Sequence, residues 1–92
     1  TVAEQTRQVL KNLESLIDVC QSSLNSVVKT TVYLKSMDDF AEMNKVYGEF
    51  FTFDPPARST VEVSRLPKDA LVEIDAIVML PKIDTGGGSK SF

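Results

Sequence analysis

Ninety-two residues, 42% of them hydrophobic and 25% charged, make one small globular domain at most. No apolar run approaches the roughly 18 residues that cross a bilayer, and no charged start followed by an apolar stretch and a cleavage site marks a secretory signal, so the chain reads as soluble with no membrane partner. The net charge is −3 and the ten Lys and Arg are scattered, which argues against nucleic acid as a partner.

One cysteine excludes an internal disulfide and any multi-cysteine metal site, and fits a reducing compartment such as the cytoplasm or the mitochondrial matrix. The absence of histidine removes the commonest general base and metal ligand. Chemistry on this chain therefore falls to carboxylates, arginine, hydroxyls, amides or backbone groups, with no metal and no cofactor.

Thr1 and Glu4 stand at capping-box spacing, which predicts a helix from the first residue. Val2, Val9, Leu10, Leu13, Leu16, Ile17 and Cys20 recur at threes and fours and lay one apolar stripe to about Gln21. On that pattern Cys20 is a core residue rather than a reactive thiol. Val27 to Leu34 is rich in Val, Thr and Tyr and reads as a strand, with Val28, Thr30, Val32 and Leu34 on one side.

Ser36 and Asp39 repeat the capping spacing ahead of a second amphipathic helix bearing Phe40, Met43, Val46, Tyr47, Phe50 and Phe51, with Asn44 the polar exception in its stripe. Asp54, Pro55 and Pro56 stop this helix. Ala57 to Val63 reads as a second strand, Arg65 to Asp69 as a turn, and Leu71 to Leu80 as a third strand. The first strand, second helix and second strand form a βαβ unit that should be parallel and right-handed. Residues 1–81 are thus the domain and 82–92 a flexible Gly/Ser-rich tail, whose glycines lack the strand and helix that a phosphate loop requires.

The last two strands are expected to pair as an antiparallel hairpin across Arg65 to Asp69. Alternation then places Ser59, Val61, Val63, Val72, Ile74, Ala76 and Val78 on a core face. Arg58, Thr60, Glu62, Leu71, Glu73, Asp75, Ile77 and Met79 fall on the other, with Thr60 opposite Glu73 and Arg58 diagonal to it. A face mixing charge with bulky apolar groups is usually covered by another chain, and a core this small is marginal alone, so an oligomer is expected.

Pro56 to Val63, Arg65 to Asp69 and Val72 to Ile77 closely resemble the characteristic region of the RidA/YjgF reactive-intermediate deaminase family. Further matches are Gln5 to Leu10 with Asn12 and Leu13, Val27 to Leu34, and Phe40 with Asn44, Tyr47, Phe50 and Phe51, so that the resemblance covers Glu4 to about Leu80. It implies a chorismate-mutase-like α+β fold, a mixed sheet with two helices on one face, and a homotrimer with sites between subunits. The implied reaction is hydrolysis of enamine and imine intermediates of the 2-aminoacrylate and 2-iminopropionate type to 2-oxo acids and ammonia.

On this resemblance Arg58 holds the substrate carboxylate, Glu73 attends the attacking water, and Thr60, Asn44 and Phe40 line the pocket. It also implies that the domain is incomplete at its N-terminus, where family members carry a further hairpin segment. Two other functions stand beside the deaminase: a non-catalytic 2-oxo-acid-binding or scaffold protein of the same fold, and a ribonuclease, which the acidic balance and lack of histidine disfavour.

Overall fold

The computed structural model of the chain describes residues 1–80 and 88–91. Helix α1 runs Val2–Val19, and Thr1 and Glu4 close the expected capping box: the Glu4 amide donates to the Thr1 hydroxyl and the Thr1 backbone nitrogen to the Glu4 carboxylate. Its buried stripe is Val2, Thr6, Leu10, Leu13 and Ile17. Thr6 belongs to it because its hydroxyl donates to the Val2 carbonyl at 2.7 Å, which satisfies the group locally. Cys20, by contrast, is exposed. It sits at the C-cap, where the helix has ended and its spacing no longer points inward.

Strand β1, Val27–Leu34, follows a 3₁₀ turn over Leu24–Ser26. An irregularity between Val27 and Lys29 turns Val28 outward and buries Val27 in its place, so the inner face reads Val27, Thr30, Val32 and Leu34. Ser36 caps a second 3₁₀ turn, Met37–Asp39, that leads into helix α2, Phe40–Phe50. Strand β2 is Ala57–Glu62 and β3 is Val72–Val78. A fourth strand, β4, covers Gly88–Ser91 and pairs antiparallel with β3, so this part of the expected flexible tail is a strand. The rest of that tail lies outside the described residues.

The sheet order is β2-β1-β3-β4. β2 lies parallel to β1, as the βαβ reading requires, and β3 lies antiparallel to β1 on its other edge. The expected β2–β3 hairpin is therefore absent, and with it the opposition of Thr60 to Glu73 and the diagonal from Arg58 to Glu73. The connection between the two strands crosses the end of β1 instead of turning back on itself. Val63 donates its amide to the Leu34 carbonyl at 2.9 Å, and Lys35 donates to the Leu71 carbonyl at 3.0 Å, so both ends of the crossing are tied to β1. Leu66 anchors the crossing in the core, and Lys68 and Asp69 both adopt positive φ to turn the chain.

Both helices cover one face of the sheet, α1 against β3 and α2 beside α1. The core beneath them joins Leu10, Leu13 and Ile17 to Val32, Leu34, Met43, Tyr47, Val72, Ile74 and Ala76. Gln5 bonds α1 to the start of β3, its side-chain oxygen accepting the Leu71 amide at 2.8 Å. Strand β3 follows the expected alternation, with Val72, Ile74, Ala76 and Val78 facing inward. Strand β2 presents the opposite face to the one its alternation in a hairpin would give, because register pairs Arg58 with Thr30 and Thr60 with Val32, both inner-face residues. Ser59 and Val61 accordingly turn outward and are exposed.

Candidate functional site

Arg58 emerges from β2 on the helix side of the sheet and meets α2 there. Its guanidinium carbon lies 4.7 Å from the centre of the Tyr47 ring and 5.4 Å from that of Phe40. Its Nη1 donates to Asn44 Oδ1 at 2.6 Å. Phe40, Asn44 and Tyr47 are spaced four and three apart, so one face of α2 presents two rings with an amide between them. Cation–π contact and one short hydrogen bond restrain the guanidinium while leaving further N–H donors of its fork for a ligand.

The cleft beside Arg58 has a volume of about 410 Å³ and is lined by Asn44, Tyr47, Gly48, Phe51, Pro55, Pro56 and Arg58. One cation, one amide and an apolar wall suit a small organic anion whose carboxylate meets the guanidinium. Helix α2 is already capped at Phe51, ahead of the prolines expected to stop it, and Pro55 and Pro56 form part of this wall.

Tyr47 is buried, and its hydroxyl shares a 2.7 Å hydrogen bond with that of Thr30. Burial pushes the Tyr47 hydroxyl above its ordinary pKa of 10.0, so the group is neutral through the physiological range. The sequence marked Tyr47 only as core. The signal for its second role was its position three residues after Asn44 and seven after Phe40.

Of the expected site residues, Arg58, Asn44 and Phe40 come together. Thr60 shares the inner face of β2, two residues beyond Arg58 and half-buried. Glu73 does not join them, because it is register partner to Tyr33 on the outer face, across β1 from β2. Tyr33 donates its hydroxyl to Asp75 Oδ2 at 3.0 Å, and this bond to a carboxylate holds the Tyr33 hydroxyl above its usual pKa. The second carboxylate oxygen of Asp75 is buried without a hydrogen-bond partner among the described residues.

A mixed sheet roofed by two helices defines an α+β domain of the YjgF type. The family model described as Endoribonuclease L-PSP matches residues 1–80, and the chain belongs to that family, which includes YjgF and RidA. A RutC family protein of Pyrococcus horikoshii is 58% identical over 76 residues, covering 83% of this chain and 60% of that protein.

The crystal structure of the E. coli YjgF gene product aligns with a TM-score of 0.83 at 44% identity, over 89% of this chain and 66% of the other. The structure of E. coli TdcF with bound serine aligns with a TM-score of 0.81 at 38% identity, over 85% and 64%. The chain thus spans about 60% of the length of the first curated relatives it matches.

Proposed function

We propose that this domain belongs to a hydrolase that deaminates small enamine and imine acids to 2-oxo acids and ammonia. The observation that carries the reading is the Arg58 guanidinium, held by Tyr47, Phe40 and Asn44 at the mouth of a cleft sized for a small acid. Arg58 takes the substrate carboxylate, and at an effective dielectric near 20 the Coulomb attraction at contact is about 4 kcal/mol before desolvation is subtracted. Asn44 lines the cleft itself, while Phe40 against the guanidinium and Thr60 two residues along β2 would bound the site beside it. Water adds to the imine carbon, and the resulting carbinolamine expels ammonia and leaves the ketone.

Glu73 is the residue proposed to position that water and carry its proton. Its place on the outer face means that a Glu73 acting at Arg58 belongs to a second copy of the chain. A homotrimer with sites between subunits meets this requirement. Exposed Val61 and Ile77, and the buried oxygen of Asp75 that lacks a hydrogen-bond partner among the described residues, are consistent with a second chain covering that face.

Replacing Arg58 with Ala tests the reading: ammonia release from 2-aminoacrylate should fall to background while oligomer size is unchanged. Full activity in that variant overturns it. A second reading, a non-catalytic binder of small amino or oxo acids, is favoured by the serine bound to TdcF. Saturable binding of 2-oxobutyrate without turnover would select it. The net charge of −3 makes RNA a poor substrate, and an RNA-cleavage assay on the wild-type protein checks this.

A further inference from the structure

We infer that Thr30 and Tyr47 are positioning residues that fix the plane of the Arg58 guanidinium through a hydroxyl pair on the hidden side of the site. This deepens the proposed function, since it concerns the same anion-binding arginine. Thr30 and Arg58 are direct register partners on parallel strands, and both reach Tyr47 on α2. Thr30 takes hold of the phenol oxygen at 2.7 Å, and Arg58 lies over the ring of the same residue at 4.7 Å. Three elements, β1, β2 and α2, are thereby locked together at one aromatic ring.

The hydroxyl pair is not needed to fill the core. Valine and phenylalanine have nearly the shapes of threonine and tyrosine, and replacing both partners of a buried hydrogen bond by apolar groups of the same shape is close to neutral for stability. What the pair adds is direction. A phenol anchored at its far end cannot slide or tilt along the sheet, so the ring face presented to Arg58 is fixed. A planar fork that must meet a carboxylate with two parallel hydrogen bonds gains affinity when its plane is set in advance.

The test is the double variant Thr30→Val with Tyr47→Phe, which leaves no buried hydroxyl unpaired, and Thr30→Ala with Tyr47→Phe, which also leaves none and relieves any crowding by the valine, is the second variant should the first fail to fold. Three quantities are measured: the thermal midpoint, the heteronuclear NOE of the Arg58 Nε–H, and the affinity for 2-oxobutyrate. The expected result is a midpoint near wild type, a lowered Arg58 NOE, and an affinity reduced about threefold to fivefold, the range of a weakened cation–π contact. An unchanged NOE, or a lowered NOE with unchanged affinity, overturns the inference. If the wild-type protein binds no 2-oxobutyrate, the proposed function fails, while the NOE of the variant still decides whether the pair orders Arg58.

Discussion

Arg58 and Glu73 occupy opposite faces of the sheet, on strands separated by β1. Period-two alternation makes this unavoidable, because their register partners Thr30 and Tyr33 are three residues apart on the same strand. A mechanism that uses both groups must therefore draw them from different protomers. On the proposed function Arg58→Ala and Glu73→Gln proteins should each be inactive alone, and mixing them should restore part of the ammonia release after subunit exchange. No restored activity in demonstrably mixed oligomers would mean that the two groups do not share a site.

Asn44→Asp keeps the shape of the side chain but places a carboxylate 2.6 Å from the Arg58 guanidinium, where it competes with any incoming anion. Affinity for 2-oxobutyrate should fall about tenfold or more, equivalent to ~1.4 kcal/mol. Isothermal titration against wild type measures it, and equal affinities would place the ligand carboxylate away from Arg58.

Arg7 on α1 and Glu49 on α2 form an exposed ion pair between the two helices. The hydrogen bond from Arg7 holds the Glu49 carboxyl below its ordinary value of 4.5. A carboxyl lowered on folding stabilises the protein above its unfolded pKa and loses that contribution as pH falls through the folded one. Acid should therefore destabilise wild type more steeply than Glu49→Gln below about pH 4.5, as read by thermal midpoints from pH 6 to pH 3. Parallel curves would show that the pair contributes nothing.

Leu10 and Val28 are both aliphatic but differ in environment: Leu10 is fully buried on the inner face of α1, whereas Val28 is turned out by the irregularity in β1. Leu10→Ala should cost about 2–5 kcal/mol in urea unfolding, and Val28→Ala within about 0.5 kcal/mol. Similar losses at the two positions would contradict the register of β1.

Cys20 is exposed at the end of α1. A thiol-reactive dye should modify it in the native protein nearly as fast as in urea. Protection of many-fold on folding would return it to the core.

The capping box of Thr1 and Glu4, the inner stripe of α1 through Ile17 and the Val- and Thr-rich run of β1 were legible because each depends on residues a few positions apart, whereas Ser36 and Asp39 form no second box, the Ser36 hydroxyl accepting the Asp38 amide instead. The same holds for α2 as a carrier of Phe40 and Asn44 on one face, and for the residues by which the chain resembles its family. Local spacing sets these features, and no distant contact is needed to establish them. Spacing alone could not show that Val27 replaces Val28 in the core, or that Thr6 satisfies its hydroxyl within its own helix.

Strand order was decided elsewhere. A hairpin between β2 and β3 is the natural local choice, but α2 carries β2 back beside one edge of β1, and the apolar face of β3 finds its cover under α1 at the other edge. That competition is settled by burial across the whole domain. Its outcome sets which way Arg58 points, pairs it with Tyr47, and sends Glu73 to the far side of the sheet.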